Sequence, residues 1–314
     1  MMEPIPGRAL ITGAAGFVGK FLAKRLNASG WTVACSDLHA PSCEPGWCAC
    51  DMADREQVDA MVSWAGPISH VFHLAAVTFV PEAGRDPAKA LEVNLLGTVY
   101  LTTALTRYAP AARVVMISTA EVYGHPQFLP ITESHPLQPT NPYAISKAAA
   151  DQYCEYLKHT GADVVRARPF NHTGPGQSDL FVLSSFARQI AQIEAGKRPP
   201  ILQVGNIDSA RDFTHVEDVV RAYERLALNG VSGDAYNVCS GKPTTISDAL
   251  DGLLALSRVE IHVETDPQRM RPVDVAASFG SYEKIERETG WRPELPFDKL
   301  LADLLNFWRK HEVS

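Results

Sequence analysis

The chain lacks any apolar run approaching the ~18 residues that a membrane-spanning helix needs. It carries only six cysteines in 314 residues, too few for a disulfide scaffold. It has no basic excess either. Lys and Arg number 29 against 36 Asp and Glu, a net charge of −7, which argues against nucleic acid or another polyanion as the main partner. Met1-Met2-Glu3-Pro4-Ile5-Pro6 offers neither a basic cluster nor an apolar core, so no secretory signal is expected. There is no internal repeat and no low-complexity linker. What is present is ordinary: 46% apolar and 21% charged residues, the usual values for a globular protein. The expectation is a cytoplasmic protein of one large or two intimate domains.

Three cysteines cluster as Cys43-x4-Cys48-x-Cys50 beside Asp51. The spacing fits no usual zinc pattern, and no further Cys or His pair lies nearby. Reduced thiols on a loop and a strand are expected, with no metal.

The first half alternates short apolar runs with longer helical patterns. Arg8–Thr12, Trp31–Ser36, His70–Leu74 and Arg113–Ser118 read as strands. Phe17–Ser29, Asp54–Trp64, Pro87–Tyr108 and Tyr143–Lys158 read as helices. Strands without polar alternation, each followed by a helix, predict βαβ units around a buried parallel sheet. The fold class is α/β: a doubly wound sheet of the Rossmann type, with a smaller C-terminal α/β domain. Residues 1–170 would form the first part, with 213–235 returning to it, and 171–212 and 236–314 the second. Asn171–Gln177 reads as a Gly/Pro/Asn loop, Leu180–Ala195 and Phe297–Lys310 as helices.

The first strand runs into Thr12-Gly13-Ala14-Ala15-Gly16-Phe17-Val18-Gly19, on the turn into the first helix. A side chain at Gly13, Gly16 or Gly19 would hold a pyrophosphate away from the backbone. Free N–H groups and the positive end of the helix dipole then bind the anion. The next strand ends in Asp37, 18 residues past Gly19 and close to where an acidic side chain grips the adenosine ribose. A 2′-phosphate there would meet like charge, and no Lys or Arg follows within Leu38-His39-Ala40, so NAD(H) is favoured over NADP(H).

Tyr143-x3-Lys147 heads a helix after Asn141-Pro142, and the i, i+4 spacing sets both side chains on one face. Lys147 would lower the phenol pKa, so that Tyr143 exchanges protons near neutral pH. With the nucleotide turn upstream and the strand end Ser118-Thr119-Ala120-Glu121 before it, the pair forms a catalytic constellation.

At this point the chain resembles, nearly end to end, the extended short-chain dehydrogenase/reductases that act on nucleotide sugars. The marks are the glycine turn, Asp51-Met52, His73-Leu74-Ala75-Ala76, Asn94-x2-Gly97-Thr98, Ser118-Thr119-Ala120-Glu121-Val122-Tyr123-Gly124, Tyr143-x3-Lys147, Arg168-Pro169-Phe170-Asn171, Arg211-Asp212-Phe213 and Arg271-Pro272. The resemblance implies hydride transfer between nicotinamide and a sugar carbon, usually C4. Tyr143 would be the acid/base on the sugar oxygen, Thr119 its hydrogen-bond partner, and Lys147 the holder of the nicotinamide ribose. Gly13, Gly16, Phe17, Val18, Gly19 and Asp37 would hold the dinucleotide, and Asp51 and Met52 would flank adenine. Leu74, Ala75, Ala76 and Pro169 would line the cleft, with Asn94 bracing the central helix beside them. Asn171, Arg211 and Arg271 would take the diphosphate side of the substrate, since Arg binds phosphate with two parallel charged hydrogen bonds. The resemblance also implies a homodimer packed through the helices Pro87–Tyr108 and Tyr143–Lys158. Leu91, Leu95, Leu101 and Leu105 exceed what one helix face needs, although a leucine stripe at helical spacing is more often ordinary core.

The reaction is less sharply written. Dehydratases of this kind resemble Thr-Asp-Glu or Thr-Ser-Glu at the strand end, where the middle side chain assists loss of water. Ala120 carries only a methyl group there, and Glu121 remains as a base, a substrate contact or a buried carboxylate. The stretch Arg168–Gln177, with Val204-Gly205-Asn206 and Arg211-Asp212-Phe213-Thr214, looks like GDP-4-keto-6-deoxy-D-mannose reductases. A 4-epimerase with retained NAD and a 4,6-dehydratase stay open as alternatives, as does a cofactor-sensing regulator on the same fold. His172 is left outside the catalytic set.

Overall fold

The computed structural model describes residues 7–41, 44–269 and 275–312. Its elements follow in chain order: β1 (Arg8–Thr12), α1 (Phe17–Ala28), β2 (Thr32–Asp37), β3 (Trp47–Ala49), α2 (Arg55–Ala65), β4 (His70–His73), α3 (Val80–Arg85), α4 (Pro87–Leu91) and α5 (Gly97–Tyr108). Then come β5 (Arg113–Ile117), α6 (Pro142–Leu157), β6 (Val164–Pro169), β7 (Asn171–Thr173), α7 (Val182–Glu194), β8 (Ile201–Val204), β9 (Ala210–His215) and α8 (Val216–Asn229). The last are β10 (Ala235–Val238), β11 (Pro243–Thr245), α9 (Ile246–Ala255), β12 (His262–Thr265), β13 (Ala277–Ser278), α10 (Glu283–Thr289) and α11 (Phe297–Glu312).

Seven parallel strands form one sheet in the order β10-β6-β5-β4-β1-β2-β3. Alternate residues of β1 serve opposite faces, as the two-residue period of a strand requires. Ala9 and Ile11 pack with α1 and α8, while Leu10 packs with α2 and α5. The order reverses between β1 and β4, which opens a crevice at the carboxyl ends of the strands. The expected doubly wound α/β fold is present.

A second lobe gathers α7, α9 and α11 around Phe186, Ile190, Leu202, Leu253 and Leu304. It carries two small sheets, one with β9 between β11 and β13 and one pairing β12 with β8. Two sequence expectations change. Asn171–Thr173 is a strand, β7, paired in parallel with β9, so the start of the Gly/Pro-rich stretch is tethered rather than looped. The return to the first part extends past residue 235, because β10 is wholly buried at the sheet edge beside β6. Ile285 and Trp291 follow it into the same core, with Trp291 Nε1 donating to the Asp218 carbonyl at 3.0 Å. In the leucine stripe, Leu101 and Leu105 are internal core facing the sheet, while Leu91 is exposed. A π turn at Glu92–Leu96 joins α4 to α5.

Helix α6 is anchored from behind by charge. Asp151 is fully buried. Its Oδ1 accepts from Arg166 Nη1 and from Arg168 Nη2, both at 2.8 Å, and its Oδ2 from Arg168 Nε at 2.9 Å. Burial alone would raise the carboxyl pKa, but the Arg168 fork and the Arg166 charge hold it below the usual range. Removing one member of a buried ion cluster strands the others without solvent, at about 3–5 kcal/mol. Asp151→Asn is therefore expected to lose about 3–5 kcal/mol in urea unfolding. A loss under about 1 kcal/mol would mean that the cluster is no anchor.

Candidate functional site

The crevice collects the glycine turn at the end of β1, Asp37 at the end of β2, Leu74, Ala75 and Ala76 after β4, and Thr119 after β5. Gly13 takes φ +72°, the left-handed region, and a Cβ there would stand 2.8 Å from the Ala75 backbone nitrogen. A Cβ on Gly19 would stand 2.3 Å from the Gly13 carbonyl, so α1 can sit on the turn only without one. Gly16 caps α1 with no side-chain bond, and no acidic residue occupies the first turn. The helix thus presents its leading N–H groups to the crevice. Asp37 Oδ2 accepts from the Ala15 N–H at 3.1 Å, which brings its carboxylate up against the turn. Phe17 and Val18 open the helix. Val18 packs into the core, and the Phe17 ring stacks on His172 at 6.4 Å, nearly parallel. Met52 is buried against Gly97, and Asp51 caps its own turn by accepting from Ala53 N–H at 2.9 Å.

Asn94 sits between the loop after β4 and the inner face of α6. Its Oδ1 accepts from Val77 N–H at 2.8 Å, and its Nδ2 donates to the Val77 carbonyl at 3.1 Å and to Ser146 Oγ at 2.8 Å. With the residue 1% exposed, these bonds occupy the amide in bracing α6.

The catalytic candidates meet around the start of α6. Asn141 caps this helix, its Oδ1 accepting from Ala144 N–H at 2.8 Å, and Pro142 fills the first turn. Glu121 lies exposed, its carboxylate accepting from Asn141 Nδ2 at 3.3 Å, so the charge steadies the helix cap. Thr119 accepts from Glu121 N–H at 3.2 Å, and its side chain also hydrogen-bonds the Tyr143 hydroxyl. Burial pushes the Tyr143 phenol up to about 12, the Thr119 bond opposing this and the Glu121 charge adding to it. Tyr143 in the protein itself is therefore a protonated acid at neutral pH. The lowering expected from Lys147 is not among the causes that act on the phenol, and burial dominates because a phenolate in this site would lose its hydration. Lys147 is 3% exposed, and burial pulls it down to about 8 against the attraction of Asp151. Among the described residues no hydrogen bond or ion pair holds its ammonium. Tyr143, Lys147 and Asp151 stand at i, i+4 and i+8 on one helix face. That continued spacing is the signal that could have added Asp151 to the candidate set.

On the substrate side, Asn171 opens β7 and is exposed, and Pro169 ends β6 in the core. Arg211 lies on β9, its Nη1 donating to the Ala210 and Val275 carbonyls at 2.8 and 2.7 Å. Arg271 falls outside the described residues, as does Cys43. Cys48 lies on β3 and Cys50 just beyond it, and five described cysteines are free. Phe79, after β4, meets Phe181 of the second lobe edge to face at 6.2 Å, so aromatic rings from both sides border the crevice.

A glycine that leaves no room for a Cβ, an uncapped helix start and an unpartnered buried ammonium fit a dinucleotide with its pyrophosphate on the turn. Kinship agrees. The family model described as GDP-mannose 4,6 dehydratase matches residues 10–304. GDP-6-deoxy-D-mannose reductase of Pseudomonas aeruginosa is 40% identical over 96% of this chain and 97% of that protein. UDP-glucose 4-epimerase of Bacillus subtilis is 30% identical, covering 97% of each chain. Among solved structures, RMD from Pseudomonas aeruginosa complexed with NADPH superposes with a TM-score of 0.88 at 39% identity, covering 97% of this chain and 99% of that one. Thermus thermophilus UDP-glucose 4-epimerase in complex with NAD gives 0.85 at 31% identity, over 96% and 99% of the two chains.

The chain belongs to the GDP-mannose 4,6-dehydratase family of extended short-chain dehydrogenase/reductases. It is an enzyme of nicotinamide-dependent nucleotide-sugar chemistry.

The Lys147 geometry sets a test. With a folded pKa near 8 against the usual 10.5, the side chain costs the fold stability wherever it must stay charged. That cost is full below pH 8 and vanishes as pH rises through 10.5. At roughly 1.4 kcal/mol per pKa unit, Lys147→Met should stabilise the cofactor-free protein at pH 7 by up to about 3 kcal/mol. The gain should shrink in urea titrations above pH 8, and a destabilised variant at pH 7 would refute the unpartnered ammonium.

Proposed function

We propose that the chain is a reductase that converts the C4 ketone of a GDP-4-keto-6-deoxy-hexose to the alcohol with NADH, giving a product of the GDP-rhamnose type. The observation that carries the reading is the buried, protonated Tyr143 beside Thr119. A reduction needs a proton for the ketone oxygen as the hydride arrives, and Tyr143, kept neutral by burial at the head of α6 beside Thr119, has its proton in place to give. The dinucleotide, when bound, supplies the hydride. Thr119 would bond the same oxygen and orient it toward the Tyr143 hydroxyl. As negative charge develops there, Tyr143 passes its proton across and Lys147 stabilises the phenolate that remains. Lys147 would also bond the nicotinamide ribose. Asn171, Arg211 and Arg271 would hold the diphosphate, and Glu121 would keep the helix cap in place.

The likeness to a GDP-6-deoxy-D-mannose reductase along nearly the whole chain supports this substrate. Ala120 supports a reductase over a dehydratase, since a methyl group cannot help water leave. Epimerase relatives favour a second reading, a 4-epimerase that keeps its NAD. For the donor, the Asp37 carboxylate against the glycine turn supports NADH, because a 2′-phosphate there would meet like charge. The free cysteines support a reducing, cytoplasmic setting. A homodimer through α4–α5 and α6 is supported by the exposed Leu91, Leu96, Tyr108, Ile145 and Tyr156 on those helices.

The reading is tested with GDP-4-keto-6-deoxy-mannose and each reduced dinucleotide. Turnover is expected with NADH favoured, and Tyr143→Phe should cut kcat at least about 100-fold while NADH still binds. Nicotinamide released on denaturing the purified protein should be well below one per chain. One tightly held NAD per chain with an idle ketone assay would point to an internal redox cycle, that of an epimerase or a dehydratase, and overturn the reductase. Sedimentation should give a dimer, and Tyr156→Glu should give a monomer.

A further inference from the structure

One fully buried titratable side chain has no part in the chemistry above. His73 ends β4 and is 1% exposed. Its Nδ1 lies 2.8 Å from Thr12 Oγ1 and its Nε2 lies 3.1 Å from Thr98 Oγ1. Counting protons sets the direction of each bond. The Thr98 hydroxyl gives its only proton to the Asn94 carbonyl at 2.7 Å, so its oxygen accepts from His73 and Nε2 carries the hydrogen. Nδ1 is then bare and accepts from Thr12, whose oxygen accepts the Ala75 N–H at 3.2 Å. One neutral tautomer satisfies every group in the series.

Both ends of the series lie in the crevice. At one end, Thr12 and Ala75 flank Gly13, the residue of closest backbone approach. At the other, Asn94 donates to Ser146, and the Ser146 hydroxyl donates to the Tyr143 carbonyl at 2.8 Å. Every link is a direct bond between groups no more than a few per cent exposed, apart from Ala75 and Val77 on the crevice loop. Burial and the nearby Lys147 ammonium hold the His73 imidazole down to about 3, so the neutral form persists at any pH where the protein works.

We propose that His73 is a positioning residue for the reduction: its rigid ring, in one tautomer, sets the spacing between the turn that holds the dinucleotide and the helix end that holds Tyr143. The chemical consequence rests on the reductase reading, whereas the linkage itself does not. Hydride transfer is steeply sensitive to the separation of donor and acceptor, and an error near 1 Å can cost about 100-fold. A flexible amide in place of the ring would keep a donor for Thr98 and lose the fixed reach to Thr12.

The test uses His73→Gln and Thr98→Val in the full chain. For His73→Gln, kcat should fall about 30-fold with the KM for the keto sugar within about twofold, and the isotope effect from 4-deuterated NADH should rise as transfer becomes limiting. Thr98→Val alters no residue of the glycine turn, yet it should weaken NADH about fivefold in fluorescence titration, because the imidazole loses the acceptor that fixes its tautomer. Histidine ¹⁵N spectra of the wild-type protein, assigned by the signal lost in His73→Gln, should have Nε2 protonated and Nδ1 bare, unchanged from pH 5 to 9. An unchanged NADH affinity in Thr98→Val, the opposite tautomer, or a titrating His73 would overturn the proposal. So would a kcat loss that merely follows a lowered melting temperature with the isotope effect unaltered. If the wild-type protein leaves the keto sugar untouched while the spectra and the NADH titration behave as expected, the reductase reading fails and the linkage stands.

Discussion

The buried carboxylate of Asp151, gripped by Arg166 and Arg168, is the constraint on which the rest of the crevice depends. Both arginines come from β6, and Asp151 comes from the helix that carries Tyr143 and Lys147. The cluster therefore fixes that helix to the sheet along its inner face, where apolar contacts alone would let it slide. Arg168 also donates to the Tyr123 hydroxyl at 3.1 Å, and Tyr123 donates to Asn237 of β10 at 2.7 Å. One polar network thus joins the helix, the segment after Thr119 and the last strand of the sheet. Such a network is expensive to bury and costlier to break, so it specifies one register of these elements.

Given that anchor, the division of labour in the crevice follows from strand direction. All seven strands run the same way, so their carboxyl ends supply the glycine turn, Asp37, the Ala75 loop and Thr119 along a single edge. The second lobe adds Asn171 and Arg211 through β7 and β9, which pair with each other and bring the far side to the same edge. Two side chains are held out of water: a phenol that burial keeps neutral, and an ammonium that no hydrogen bond or ion pair holds among the described residues. Keeping Lys147 charged there costs the fold stability below pH 8.

Much of this was legible in the residues. The apolar strands, the glycines at 13, 16 and 19 and the Tyr143–Lys147 spacing follow local rules of period and turn geometry, and they predict the sheet and the two halves of the site. Other features depend on pairing across long sequence separations. Asn171–Thr173 has the composition of a loop and becomes a strand because β9, some forty residues later, offers it a partner. The leucines of α5 read as surplus apolar area, whereas Leu101 and Leu105 face the sheet. For the Tyr143 phenol the spacing predicts a lowering and burial gives a rise, since spacing reveals a neighbouring charge but not the loss of water around the ring. The buried place of Asp151 was within reach of the same helical count that found Lys147, while the bonds of His73 to Thr12 and Thr98 required three distant segments to be brought together.

The position of β10 carries a consequence for how the chain is made. This strand completes the sheet beside β6, yet tens of residues of the second lobe are synthesised between the two. At about 5–20 residues per second on the ribosome, the β6 edge stays open for several seconds. An apolar edge strand with unpaired N–H and C=O groups is a template for association with other chains. Arg166 and Arg168 alternate along that strand with Val165 and Ala167, so the open edge bears charged side chains rather than a continuous apolar run until β10 closes it. The arginines that lock the catalytic helix thus also protect the unfinished sheet from its neighbours during synthesis.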